Sequence, residues 1–149
     1  MKHFLLLTVV IFSACGVSKE NNDSQSGSEY STVSSGPFLT QETNFTDDQY
    51  KINAVQVIDN QLIVEVSFGG GCADHAFQLV GSTNVSKSLP PQRAIRLYHN
   101  ANNDGCEAWI TKTLTFDISS FAYQQNQGYE TILNLFSWEQ PISYIFKTK

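Results

Sequence analysis

The fold is decided by one stretch of alternating residues, Gln61-Leu62-Ile63-Val64-Glu65-Val66-Ser67-Phe68. Successive side chains of a β-strand point to opposite faces of the sheet. One face of this stretch would be entirely apolar, with Leu62, Val64, Val66 and Phe68, while the other carries Glu65 and Ser67. The pattern predicts a half-buried strand in an antiparallel sheet.

A second strand is predicted immediately before this one, from Lys51 to Ile58. Only Asp59-Asn60 separates the two, and both residue types tolerate the positive φ of a tight two-residue turn. The two strands are therefore expected to form a hairpin.

Further strands are predicted downstream by the same alternation and by the turn clusters between them. They run over His75 to Val80, Arg93 to His99, Cys106 to Ile118, Thr131 to Phe136 and Ile142 to Phe146. The third of these is the longest, and Lys112 interrupts its apolar face, so we expect a β-bulge to turn that lysine outward. About seven strands in about 100 residues predict an all-β fold, an antiparallel β-sandwich of immunoglobulin-like size. A small β-barrel is the alternative.

Length and charge limit the possible functions. A chain of 149 residues with 41% hydrophobic content can bury one core, which predicts a single folded domain. The net charge of −5 argues against nucleic acid as a partner, because the phosphates would repel the chain. Lys and Arg are scattered singly, so no basic patch for anionic lipid is expected.

The N-terminus has the pattern of an export signal. Lys2 precedes the apolar run Phe4-Leu5-Leu6-Leu7-Thr8-Val9-Val10-Ile11-Phe12, which is too short to span a bilayer. Ser13-Ala14 followed by Cys15 resembles the lipobox of bacterial lipoproteins. The resemblance implies that residues 1–14 are a signal peptide and that Cys15 becomes the lipid-modified N-terminus.

This resemblance also implies where the protein lies. Each buried CH₂ of an acyl chain contributes about 0.8 kcal/mol, so two or three chains on Cys15 would hold the protein stably on a membrane. Residues 15–37 are polar and rich in Ser, Asn and Gly, which predicts a flexible tether. The β domain would then cover residues 38–149, with Phe38, Leu39 and Phe45 either forming an edge strand or staying loose. No Asp comes directly after Cys15, which by resemblance to Gram-negative lipoproteins favours the outer membrane, with the domain periplasmic or surface-exposed.

Most of the cysteines and histidines gather in two segments. Apart from Cys15 and His3, all of them lie in Gly69-Gly70-Gly71-Cys72-Ala73-Asp74-His75 or in His99-Asn100-Ala101-Asn102-Asn103-Asp104-Gly105-Cys106. By strand parity, one residue ends the apolar face of each of three strands: His75, His99 and Cys106. We therefore expect both imidazoles and at least one sulfur to cluster at one end of the core.

Three chemistries are open for this cluster. The favoured one is a disulfide between Cys72 and Cys106, because export would leave two thiols in an oxidising compartment once Cys15 is lipidated. Such a bridge would contribute roughly 3–4 kcal/mol of stability. The alternative is a zinc or copper site with Cys72, His75, His99 and Cys106 as ligands. A Cys72 nucleophile paired with His75 or His99 comes third, because no family-specific sequence surrounds either cysteine.

Three other features have a structural and a ligand-binding interpretation. The triplet from Gly69 to Gly71 predicts either a close backbone approach or a connection between sheets. Asn100-x-Asn102-x-Asp104-Gly105 partly matches a calcium loop, but it carries too few carboxylates, and a polar turn is favoured. Aromatic residues could form a ligand platform or pack within the sheets; these are Tyr98, Trp109 and Trp138.

The sequence therefore predicts a lipid-anchored β-sandwich of the cell envelope that acts as a structural or binding module. Its partner would be an envelope protein or a small ligand, and no cofactor is expected. A zinc- or copper-binding lipoprotein is the alternative. The chain lacks a phosphate loop and a recognisable catalytic spacing, so we do not expect an enzyme.

Overall fold

The structure is a computed structural model that describes residues 31–32 and 47–149. Among these residues the only helix is one short turn of 3₁₀-helix, Ser119–Phe121. The strands are β1 (Ser31–Thr32), β2 (Lys51–Ile58), β3 (Gln61–Gly70), β4 (Ala76–Ser86), β5 (Gln92–Asn100), β6 (Ala108–Asp117), β7 (Glu130–Leu135) and β8 (Ile142–Ile145).

The strands form two sheets that are not joined into a barrel. The first sheet has the order β1-β6-β3-β2 and the second has the order β4-β5-β7-β8. This confirms the predicted sandwich, with seven strands from residue 51 onward, and the small-barrel alternative is wrong. The additional strand β1 has two residues and pairs in parallel with β6, although it comes from the segment predicted to be a tether.

The predicted alternating strand β3 lies inside the first sheet, between β2 and β6. Its apolar face meets the second sheet in the core, and burial of each such side chain stabilises the fold by about 1.5–3 kcal/mol. The buried apolar residues are Ile52, Leu62, Val64, Val66, Phe68, Phe77, Leu79, Ile95, Leu97, Leu114, Phe116, Ile118, Phe121, Ala122, Leu133, Leu135, Ile142, Tyr144 and Phe146.

One strand pair of the second sheet departs from the antiparallel pattern. Residues Gln92 to Ile95 of β5 pair in parallel with Ile132 to Leu135 of β7. The strand between them in sequence, β6, lies in the other sheet. Because the chain crosses to the first sheet and back, β7 can run in the same direction as β5.

The bulge predicted at Lys112 is absent. The β3–β6 register runs from the Gln61–Asp117 pair to the Gly70–Ala108 pair without a shift, so Lys112 lies opposite Val66 on the inner face. It is half-buried there, as the long aliphatic stem of a lysine allows. The longest strand is β4 with 11 residues, not β6 with 10.

The hairpin turn between β2 and β3 also joins the two sheets. Asp59 has the expected positive φ of 52°. Asn60 is buried, and its Oδ1 accepts hydrogen bonds from the Tyr144 hydroxyl and the Lys147 N–H, each at 2.9 Å. Its Nδ2 donates to the Lys147 carbonyl at 2.6 Å. The first sheet is thereby fixed to the end of β8.

The opposite end of the sandwich holds two connections between the sheets. Residues 71–75 lead from β3 to β4, and residues 101–107 lead from β5 to β6. This confirms the predicted connection at the glycine triplet, although Gly69 and Gly70 still belong to β3. None of the helices in residues 31–32 and 47–149 is long and apolar enough to span a membrane. Cys15, Phe38, Leu39 and Phe45 lie outside the described residues.

Candidate functional site

A disulfide joins the two connections. Cys72 and Cys106 are bonded, with their Cα atoms 5.9 Å apart and a separation of 34 in sequence. This is the predicted pairing. A bonded sulfur is not a thiolate, so Cys72 has no nucleophilic form in this state.

The carboxylate of Asp104 holds the same two connections by hydrogen bonds. Its Oδ2 accepts the backbone N–H groups of Gly71, Cys72 and Ala73 at 2.8, 2.8 and 2.9 Å, and its Oδ1 accepts that of Cys106 at 2.9 Å. These donors, the Cys106 N–H foremost, hold the pKa of Asp104 well below its ordinary value. We call this arrangement the Asp104 clamp.

The loop that carries Asp104 is a turn. Asn102 and Asn103 have positive φ angles of 50° and 58°, and the Asn102 side chain donates to the Asp74 carbonyl. Asn100 Oδ1 accepts the Asn102 N–H at 2.9 Å. The polar groups considered as calcium ligands are thus directed to the chain itself, in agreement with the favoured prediction of a polar turn.

The two histidines form a hydrogen-bonded chain behind the clamp. His75 Nε2 lies 3.2 Å from Asp104 Oδ2, His75 Nδ1 lies 2.7 Å from His99 Nε2, and His99 Nδ1 lies 3.2 Å from the Asp48 carbonyl. A Cβ at Gly70 would come within 2.5 Å of His75 Nε2, and Gly70 has a φ of +153°. The close approach predicted for the glycine triplet is therefore made to an imidazole.

Both ends of this chain are acceptors, so three hydrogen bonds would need three protons, one more than two neutral imidazoles carry. The Asp104 carboxylate can only accept, so His75 Nε2 donates to it, and in a neutral His75 the Nδ1 then accepts from His99 Nε2. A neutral His99 has no proton on Nδ1 for the Asp48 carbonyl, so that contact is then not a hydrogen bond. Burial lowers the pKa of His99, which favours this neutral form.

The imidazoles lie in an aromatic environment. His99 stacks on Phe77 with ring centroids 4.4 Å apart, and His75 lies 4.5 Å from the Phe68 ring. The edge of Tyr50 meets His99 at 5.9 Å, and its hydroxyl donates to the Leu97 carbonyl at 2.5 Å. Burial, and after it the Asp47 carboxylate, raise the pKa of Tyr50 to about 12.

The predicted metal set is only partly assembled. Among the described residues, ligand atoms of Cys72, Asp104 and Cys106 lie within 4.8 Å of one another. The imidazoles of His75 and His99 are bonded to each other instead. A zinc or copper site therefore stays a prediction, and it would need the disulfide to be reduced.

A depression of about 510 Å³ opens beside this cluster. Its lining has an apolar wall, Trp109, which is 69% exposed, and a polar wall formed by Asp48, Gln49 and Lys51. Trp109 pairs across the sheet with Gly69, and a Cβ on that glycine would meet nothing within 4 Å. One side of the indole is therefore open. We call this feature the Trp109 depression.

The structure does not assemble the three predicted platform aromatics in one place. Tyr98 lies on the outer face of the second sheet, where the Arg96 guanidinium sits 5.1 Å from its ring. Trp138 is partly buried against the core. Of the three, only Trp109 lines the depression.

The fold and the site together define a class of protein: a small two-sheet β domain with one covalently closed end and an aromatic-walled depression beside it. No protein-family model matches the chain, and a search of curated proteins finds no match.

One solved structure shares the fold, and a second resembles the chain less closely. A NigD-like immunity protein from Bacteroides caccae matches with a TM-score of 0.52 at 16% identity, over 75% of this chain and 56% of that one. A protein described as toxin-related from Parabacteroides distasonis gives a TM-score of 0.49 at 17% identity, over 76% of this chain and 58% of that one. The chain thus spans little more than half the length of these proteins, and the likeness shows the fold alone.

Proposed function

We propose that this chain is a lipid-anchored binding module of the bacterial cell envelope. Cys15 carries the acyl chains, residues 15–37 form the tether, and the β-sandwich holds a small ligand in the Trp109 depression. The lipobox-like leader supports the anchor, and the Cys72–Cys106 disulfide suits the oxidising compartment that export would reach.

The observation that carries the binding role is the exposed Trp109 beside open space. Small-molecule sites are concave and are lined by hydrophobic and aromatic side chains together with a few polar groups. His99 and Asp104 also line the depression, but the side chains of His75 and Asp104 are 3% and 0% exposed and bond to each other. This arrangement favours binding over catalysis.

The anchor is tested by Cys15→Ser in the natural host. The wild-type protein should sediment with membranes and carry acyl chains by intact mass. The variant should lose the acyl mass and leave the washed membrane fraction, because one cysteine supplies the whole anchor. A Cys15→Ser protein that stays in the membrane fraction would contradict the anchor.

The binding role is tested by the fluorescence of a single indole. Trp138→Phe leaves Trp109 as the only tryptophan, because the chain has two. Envelope material is separated into polysaccharide, peptide and lipid fractions. At least one fraction should change the fluorescence emission of Trp109. A matched protein with Trp109→Phe keeps only Trp138 and should not respond. If no fraction changes the emission of Trp109, the depression is not a binding site.

The metal alternative is decided by mass and metal analysis of the purified protein without reductant. A mass two hydrogens below the dithiol form, with no thiol to alkylate, excludes it. Two alkylatable thiols with stoichiometric zinc or copper would replace the binding proposal with a metal-handling one.

A further inference from the structure

We infer that the Trp109 depression takes a neutral polyhydroxylated ring, such as one pyranose unit of a polysaccharide. This rests on the proposed binding role of the same site and gives its ligand a chemical class. The argument combines one apolar wall, one polar wall and the charge between them.

The apolar wall is a flat surface with room next to it. Trp109 is 69% exposed, and Gly69 across the sheet leaves its position open. A pyranose ring presents a face of C–H groups that can lie on an indole and remove apolar area from water.

The polar wall suits hydroxyl groups. Gln49 offers an amide, Lys51 an ammonium and Asp48 a carboxylate, and all three line the depression. A hydroxyl both donates and accepts, so it can bond to each of these groups. Asp48 and Lys51 have opposite charges, and the Asp104 carboxylate in the lining is already bonded to backbone N–H groups. Neither an anionic nor a cationic ligand is therefore favoured throughout the site.

Other ligand classes fit these walls less well. A purely apolar ligand would remove Asp48 and Lys51 from water without replacing their hydrogen bonds. Stacking of a planar aromatic ligand on both sides would need a second free ring. Tyr50, the nearby aromatic in the lining, is already engaged edge-on with Phe77 and His99.

Asp48 of the polar wall and the neighbouring Tyr50 are held in place before any ligand arrives. Asp48 N–H donates to the His99 carbonyl at 2.9 Å, and Asp48 Oδ2 accepts the Ala101 N–H at 2.7 Å. The Tyr50 hydroxyl is fixed on Leu97. A wall that is already ordered loses little conformational entropy on binding. The volume of about 510 Å³ also lies within the range of small-molecule sites, roughly 300–1,000 Å³.

The test is calorimetric titration of the purified full chain with short neutral gluco-, galacto- and manno-oligosaccharides. Oligogalacturonate and chitosan oligomers serve as the acidic and basic probes. At least one neutral series should bind, and Trp109→Ala should weaken that binding at least about tenfold through loss of the stacking surface. Gln49→Ala should weaken it by a smaller factor.

Phe136→Ala is the matched control, because Phe136 is an aromatic residue of similar exposure, 57%, and lies in a different depression. It should leave the affinity unchanged, and circular dichroism should show every variant folded. If Gln49→Ala and Trp109→Ala both bind like the wild type, the site is wrong.

The outcomes of these experiments distinguish an error in the proposed ligand class from an error in the proposed binding role. If the protein prefers the acidic or the basic probe and Trp109→Ala abolishes that binding, the proposal of a neutral ligand is wrong. The depression would still be a binding site. Absence of binding to every oligosaccharide overturns the sugar class, while a response of the Trp109 emission to peptide or lipid fractions would retain the binding role. Absence of both overturns both.

Discussion

Asp104 bonds to four backbone N–H groups on two connections, and this joins residues that lie far apart in sequence. The donors Gly71 and Ala73 precede it by 33 and 31 positions. Four N–H groups directed at one carboxylate favour its ionised form strongly. The stability of this end of the sandwich is therefore expected to depend on pH.

We expect the protein to lose stability in acid because of Asp104. Its pKa is lower in the folded state than the ordinary 3.8, so its contribution is fully present above that value and is lost as the pH falls below it. Urea denaturation at a series of pH values from about 7 to about 2 measures this.

The control is Asp104→Asn. It should be less stable than the wild type at neutral pH, and its stability should fall less steeply in acid. Equal slopes for the two proteins would show that other carboxyl groups, such as Asp117, whose pKa is also lowered, cause the acid dependence.

The sequence indicated some of the site residues and missed others. Cys72, Cys106, His75 and His99 could be identified because these reactive residue types gather in two segments. Strand parity was readable for all of them except Cys72, which follows three glycines. The role of Asp104 was missed, since an acidic residue in an Asn- and Gly-rich turn is ordinary. Its donors come from another segment, and no local pattern marks them.

Strands were predictable where side chains alternate and less so where turn-forming residues occur within a strand. The bounds of β2 agree with the prediction from Lys51 to Ile58. The strand predicted to end at Val80 continues through Gly81-Ser82-Thr83-Asn84 as part of β4, which keeps pairing with β5 across a register shift between Gly81 and Val85. A glycine is needed at position 81 because a side chain there would clash with the core, and not because the backbone forms a turn.

Replacement of Gly81 by alanine should destabilise the protein by about 1–3 kcal/mol, because the added methyl overpacks the core. Its Cβ would lie 2.7 Å from the ring of Phe121, which is fully buried. Denaturant unfolding of Gly81→Ala measures the loss.

Gly105→Ala is the control for this substitution, since a Cβ at Gly105 meets nothing within 4 Å. Its stability should stay within about 0.5 kcal/mol of the wild type. If the two variants behave alike, contact with Phe121 is not what requires a glycine at position 81.

At each end of the molecule, a separate set of bonds holds the two sheets together. Asn60 bonds to Tyr144 and Lys147 at one end, and the Asp104 clamp with the disulfide closes the other. The two-sheet class followed from strand number and spacing. The parallel pairing of β5 with β7 could not be predicted, because pairing between strands that are distant in sequence leaves no local pattern.

Removal of the disulfide by Cys72→Ala with Cys106→Ala should cost about 3–4 kcal/mol, since the unfolded chain regains the freedom of the closed loop. The fold should persist, because the Asp104 clamp uses backbone N–H groups and no sulfur. Urea unfolding gives the loss and circular dichroism the fold. A double variant that is unfolded in the absence of urea would mean that the clamp cannot hold the two connections alone.

The position of the disulfide also determines what a protease can release. The covalent loop between Cys72 and Cys106 contains all of β4 and β5, including the turn at Leu89, whose side chain is 95% exposed. Exposed turns are the usual sites of nicking. A single cut there would leave both halves of the chain joined through sulfur, so the clipped protein would migrate as one species until it is reduced.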